Sequence, residues 1–267
     1  MTESKPQFLS VGGPESQRLI AYRFRPAQGP QTLSTVVWLG GFRSDMLSTK
    51  ASVLDDWAQK SGRAFLRFDY SGNGESPGDF TQACLSHWLE EALEIIETLT
   101  KGPVLLVGSS MGGWIALLVA RALRQKGSDR LKGLVLIAPA VDFTEELMWD
   151  LFPDAVKDAI LTQGFYMHQS EYGAYPITRL LIEDGRKHRL FGADIHPNCP
   201  VHILQGMQDD PVPWRHALRL IDHLPQDEVV LTLIKDGDHR LDARYGFHIE
   251  EPFRSFSVGG GYTLALA

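Results

Sequence analysis

Apolar residues along the chain fall into short runs that alternate with longer segments of helical period. The runs Gln7 to Val11, Leu19 to Phe24, Thr35 to Leu39, Ala64 to Phe68, Val104 to Val107, Leu131 to Ile137, Val201 to Leu204 and Val229 to Ile234 predict eight strands. The first two lie close enough for a hairpin at a sheet edge. The later ones are separated by helix-length segments, so they need crossovers and predict a mainly parallel sheet with helices on both faces. Lys50 to Lys60, Leu85 to Leu99 and Trp214 to Leu224 each place their apolar residues on one helical stripe. Trp114 to Leu123 reads as a further helix.

One segment breaks this rhythm. About 60 residues separate the strand ending near Ala138 from the one starting at Val201, far longer than an ordinary connection. Asp142 to Gly164 reads as helical and carries Phe143, Leu147, Met148, Trp149, Leu151 and Phe152; Tyr166, Met167, Tyr172 and Tyr175 follow. Such aromatic and Met content suits an apolar pocket cover. The expected organisation is therefore a core of residues 1–141 and 199–267 with a helical lid inserted at 142–198, the alternative being a small helical subdomain with its own core. The end of the chain, 247–267, holds Pro252 and Gly259-Gly260-Gly261 and shows no helical stripe.

Candidate chemistry centres on Gly108-Ser109-Ser110-Met111-Gly112, which follows the strand Val104 to Val107 and precedes a helix. In that context Gly-x-Ser-x-Gly reads as a nucleophile elbow, with Ser110 exposed at the strand end and at a helix N-terminus that favours negative charge. A serine hydroxyl needs a base, and an imidazole base needs an orienting carboxylate, in the chain order Ser, acid, His. Asp209, after the strand Val201 to Leu204, is the candidate acid, with Asp210 its rival and Asp142 a more distant one. His239, in the loop after the last strand, is the candidate base. Asp236 and Asp238 read as turn formers. An oxyanion site needs two backbone donors, expected at Met111, directly after the serine, and at Phe42, in Gly40-Gly41-Phe42-Arg43. The loop Asp69 to Ser76 carries Gly-x-Gly but lacks the remaining pattern of a nucleotide site.

Composition narrows the field. The 267 residues carry a net charge of −7, which argues against nucleic acid and gives no reason for an anionic membrane partner. No run approaches the ~18 apolar residues of a membrane span. Residues 1–10 have no signal-peptide pattern, and the two cysteines, Cys84 in a predicted helix and Cys199 before Pro200, are too few for a disulfide framework, so a cytoplasmic protein is expected. No metal-ligand spacing is present, and no cofactor is expected.

With these residues in place, the chain resembles the α/β hydrolases over residues 15 to 242. Phe68-Asp69-Tyr70-Ser71-Gly72, Gly108 to Trp114, Asn198-Cys199-Pro200, Gly206 to Trp214 and Asp238-His239-Arg240 resemble, within that superfamily, bacterial relatives of α/β-hydrolase-domain protein ten. That mitochondrial enzyme is described as an acyl-protein thioesterase and acyl-glucuronide esterase. The resemblance implies Ser110, Asp209 and His239 as a triad. The absence of a mitochondrial leader suits a bacterial protein, and 247–267 departs from the family's closing helix. The expectation is a serine hydrolase of carboxylic esters or thioesters, acting on a small acyl ester or thioester or on an acylated protein. A C–C bond hydrolase or cofactor-free peroxidase on the same fold is the alternative chemistry, and a non-catalytic small-molecule receptor the alternative class.

Overall fold

The computed structural model describes residues 5–28, 33–170, 173–241, 247–250, 255–258 and 262–265. Eight strands form one sheet: β1 (Gln7–Val11), β2 (Arg18–Arg25), β3 (Thr35–Leu39), β4 (Phe65–Phe68), β5 (Val104–Ser109), β6 (Leu131–Ile137), β9 (Val201–Gly206) and β10 (Val229–Ile234), in the order β1-β2-β4-β3-β5-β6-β9-β10. β1 pairs antiparallel with β2, and β2 antiparallel with β4; every later pair in this sheet is parallel. The edge hairpin and the parallel core expected from the pattern are both present.

The parallel strands are apolar on both sides because helices cover both faces. On one face, Leu39, Leu106 and Leu134 pack with α2 (Leu85–Leu99), α3 (Met111–Gln125) and α6 (Trp214–Asp222) through Trp88, Trp114 and Leu220. On the other, Trp38, Leu105, Val107 and Val135 pack with α1 (Thr49–Lys60) through Ala51, Leu54 and Ala58. α3 follows the central strand β5, so it lies between sheet and neighbouring helices and buries nearly every side chain from Met111 to Leu123. Cys84 is the N-cap of α2 rather than part of the helix. Both cysteines are buried free thiols, and burial pushes Cys84 up to about 11 and Cys199 to about 12, which makes them inert packing residues.

The segment 142–198 differs in detail from the predicted helix. Thr144–Met148 forms a π turn and Trp149–Leu151 a 3-10 turn; α4 (Asp154–Gln163) starts only after Pro153. Proline disfavours helical backbone in the residue before it, and Phe152 is accordingly extended. Beyond α4, β7 (Phe165–His168) pairs antiparallel with β8 (Tyr175–Thr178), and α5 (Arg179–Gly185) follows; Tyr172 lies outside the described residues. α5 is tied to the core by Asp184, whose carboxylate accepts from the Ser86 N–H at 2.7 Å and caps the start of α2. In the tail, β11 (Phe247–Glu250), β12 (Ser255–Val258) and β13 (Tyr262–Ala265) form an antiparallel meander. Pro252 and Gly259 to Gly261 lie outside the described residues. No helix among the described residues is long and apolar enough to cross a membrane.

Candidate active site

Ser110 stands between β5 and α3 with φ +55° and ψ −119°, a backbone conformation that L residues rarely adopt. The strain is held from both sides. The Ser110 N–H donates to Ile137 O at 2.8 Å on β6, and the Ser110 carbonyl accepts from Gly113 at 2.9 Å and Ala140 at 3.1 Å. The glycines of the motif are required by close approach. A Cβ on Gly108 would overlap the Gly112 carbonyl, and one on Gly112 would overlap the Leu39 carbonyl at the end of β3. The turn therefore packs directly onto the neighbouring strand end, with the hydroxyl left partly exposed above the sheet.

His239 arrives from the far edge. β10 ends at Ile234, and the following turn docks on β9: Gln208 N–H donates to Gly237 O at 2.8 Å, and any Cβ on Gly206 would overlap that carbonyl. Asp238 accepts from the Arg240 and Leu241 N–H groups at 3.0 and 3.1 Å, which confirms it as a turn former. The result is a continuous chain of contacts. His239 Nε2 lies 3.2 Å from Ser110 Oγ, and His239 Nδ1 lies 2.8 Å from Asp209 Oδ2. With the Asp209 carboxylate as an acceptor, Nδ1 carries the proton and Nε2 is left to accept from the serine hydroxyl.

Asp209 has no exposed side-chain surface, against 28% for His239. Its charge is met by hydrogen bonds: Val212 N–H donates to Oδ1 at 2.7 Å, and Gln205 Nε2 to Oδ2 at 3.0 Å. Gln205 sits fully buried within the apolar strand β9 and also donates to the Val212 carbonyl at 2.9 Å. It was not singled out from the sequence, where one buried-strand glutamine is the only signal. Asp210 is exposed. Asp142 is buried, but its carboxylate is engaged by the Leu190 and Phe191 N–H groups at 2.8 and 2.9 Å, where it anchors 142–198. The structure thus brings together Ser110, His239 and Asp209 and leaves both rival acids elsewhere.

Phe42 and Arg43 share a cleft of about 280 Å³ with Ser110 and His239, walled also by Trp38, Ser44, Lys50 and Arg240. Gly41 allows the loop after β3 to approach the elbow, since a Cβ there would stand 3.3 Å from Ser109 O. Among the described residues, neither the Phe42 nor the Met111 backbone N–H has a protein acceptor. The Phe42 ring is fixed by Phe80, Trp88, Phe143 and Tyr175 at centroid distances of 5.4 to 6.1 Å, and the Arg43 guanidinium lies 4.2 Å over the Tyr175 ring. No group of three or more His, Cys, Asp or Glu side chains suited to a metal occurs among the described residues.

This architecture agrees with comparison against known proteins. Residues 36–255 match the model of the alpha/beta hydrolase family. Over 209 residues, 77% of this chain and 67% of the relative, the sequence is 34% identical to human mitochondrial palmitoyl-protein thioesterase ABHD10. Among solved structures, a candidate hydrolase from Agrobacterium vitis S4 superposes with a TM-score of 0.85 at 45% identity, covering 90% of this chain and 93% of that one. Mouse alpha/beta hydrolase domain-containing protein 10 superposes at 0.78 with 30% identity and the same coverage. Fold, sequence and site thus agree: the chain belongs to the alpha/beta hydrolase family.

Proposed function

We propose that this hydrolase cleaves carboxylic esters or thioesters through an acyl-enzyme on Ser110. The observation that carries the reading is the unbroken contact chain from Ser110 Oγ through His239 to the buried Asp209 carboxylate. Beside it are two backbone N–H groups without acceptors among the described residues. In this reading Ser110 Oγ attacks the acyl carbonyl while His239 Nε2 takes its proton. The N–H groups of Phe42 and Met111 donate to the developing oxyanion, at the positive end of the 15-residue helix α3. Collapse expels the alcohol or thiol, protonated by His239. Water then attacks the acyl-enzyme with His239 as base, releasing the acid and restoring the serine. Asp209 orients the imidazole and stabilises its charged form. No step calls for a metal or cofactor.

The names of the relatives favour thioesters and acylated proteins as substrates. The segment 142–198 serves as a cover over the acyl side of the cleft, since Phe143 and Tyr175 both pack on the Phe42 ring. The test is hydrolysis of p-nitrophenyl butyrate and of an acyl thioester by the wild type and by Ser110→Ala, both checked for folding by circular dichroism. Serine-dependent turnover of either substrate supports the reading; equal turnover in folded Ser110→Ala overturns it. Product analysis separates ester cleavage from C–C cleavage or peroxidation, and tight ligand binding without turnover would favour the receptor.

A further inference from the structure

The loop that carries Phe42 is pinned at Met46, four residues further on, by a buried polar clamp. The Met46 N–H donates to Asp69 Oδ1 at 2.6 Å, and its carbonyl accepts from Arg67 Nη1 at 2.9 Å. The Met46 side chain is fully buried, with Sδ 3.5 Å from Arg23 Nη1. One tight turn, Ser44 N–H to Gly41 O at 3.1 Å, joins this anchor to the stretch facing Ser110, and a second, Ser48 N–H to Asp45 O at 3.2 Å, holds Met46 itself. Little slack separates the clamp from Phe42.

Asp69 is the centre of that clamp. It is 2% exposed at the end of β4. Its second oxygen accepts from the Glu75 N–H at 2.8 Å. The Gly-x-Gly loop after it is shaped around the carboxylate: Gly74 has φ +50°, and a Cβ there would overlap Asp69 Oδ2. Ser76 Oγ closes the loop, donating to the Asp69 carbonyl at 2.6 Å and accepting from the Ala21 N–H at 2.8 Å. Asp45 and Glu75 are the neighbouring carboxylates. Arg23 pairs with Glu75, and Arg67 with Asp55 at 3.1 Å. A carboxylate that spends both oxygens on backbone N–H groups of two separate loops sets the spacing between them.

We propose that Asp69 is a positioning residue for oxyanion stabilisation, holding the loop after β3 at Met46 so that the Phe42 N–H meets the oxyanion formed on the Ser110 adduct. This rests on the reading of Ser110 and Phe42 given above. It also explains the Gly-x-Gly loop, which that reading does not use. An oxyanion donor acts only in the transition state, so its displacement lowers kcat and leaves substrate binding alone.

The test is Asp69→Asn, which keeps one acceptor oxygen and turns an NH2 group toward the other N–H. With p-nitrophenyl butyrate, kcat should fall at least tenfold while KM stays within about twofold, in line with the loss of an oxyanion donor. The inhibition constant of a trifluoromethyl ketone, whose serine adduct carries the oxyanion, should rise by the same factor as kcat/KM falls. A kcat within twofold of the wild type in folded Asp69→Asn overturns the proposal. So does a fall in kcat matched by a fall in the titratable fraction of folded enzyme, the mark of a purely structural role. Should Asp69→Asn fail to fold, Arg67→Met, which releases the Met46 carbonyl and also breaks the Asp55 pair, must show the same kcat loss at constant KM, with Asp55→Asn as the control for the pair, or the proposal fails. Ser110→Ala run in parallel separates the two levels. Turnover in that variant defeats the serine reading itself; an inactive Ser110→Ala beside a fully active Asp69→Asn defeats the role of Asp69 alone.

Discussion

Asp209→Asn is the perturbation that isolates the tautomer of His239. In the wild type the two Asp209 oxygens face only donors: Val212 N–H, Gln205 Nε2 and His239 Nδ1. Asparagine has one oxygen. If that oxygen keeps the 2.7 Å bond from Val212, the NH2 group lies 2.8 Å from His239 Nδ1. The imidazole must then place its proton on Nε2, where it cannot accept from Ser110 3.2 Å away. The Gln205 amide cannot turn its Oε1 toward the new NH2 group without setting it against the Val212 carbonyl, to which its Nε2 donates at 2.9 Å, so the variant carries one strained buried polar contact as well as the lost base. A change of this kind in a Ser-His-Asp triad lowers kcat by about 10⁴, which is about 5.5 kcal/mol of transition-state stabilisation. The stability cost, a rearranged set of buried hydrogen bonds, is about 1–2 kcal/mol. The assay is kcat for p-nitrophenyl butyrate with the melting temperature measured on the same preparation. Asp142→Asn is the control, because its carboxylate meets backbone N–H groups at Leu190 and Phe191 and not the histidine. It should keep kcat within about tenfold of wild type while losing about 1–3 kcal/mol of stability. A folded Asp209→Asn enzyme within tenfold of wild type, or a larger kcat loss in Asp142→Asn, would refute the assignment of the acid.

Two further outcomes are expected. Burial pushes the Asp69 carboxyl up to about 6, against the lowering effect of the Glu75 and Met46 N–H groups. The folded state therefore holds this proton more tightly than the unfolded chain. Its stabilising contribution is complete at low pH and is lost as pH rises through about 6. Between pH 7 and pH 5 the stability difference between wild type and Asp69→Asn should consequently move in favour of the wild type, and denaturant titrations at both pH values that show the opposite trend would contradict this. Tyr175→Ala removes the ring that touches both Phe42 and Arg43. It should raise KM for long-chain acyl esters more than for acetyl esters, and equal effects across a chain-length series would argue against 142–198 as an acyl cover.

Local information carried much of this protein. The strand positions follow from short apolar runs: the parallel strands are covered on both faces and need little more than an apolar segment, and β1 and β2 lie close enough for a hairpin. The Ser110 turn is legible locally, since Gly108 and Gly112 lie within two residues of the serine, although the contacts that hold its strained backbone come from Ile137, Ala140 and Leu39. The long segment before Val201 also stood out by length and composition, although its paired strands did not. Pro153 is a signal of the break that reading 142–164 as one helix passes over, whereas Phe165-Tyr166-Met167-His168 shows no polar alternation to mark a strand.

What depended on the third dimension is the choice among chemically equal side chains. Asp142, Asp209 and Asp210 are the same group at strand ends. Only packing decides that one meets the histidine, one anchors 142–198 and one faces solvent. Gln205 and Asp69 illustrate the same limit. Each is a single polar residue whose role lies in partners far along the chain, Asp69 on Met46 23 residues back. Hydrophobic periodicity is a property of neighbours and can be read along the chain. Hydrogen-bond direction and charge desolvation are properties of what the fold brings alongside, and they exist only once the chain has closed on itself.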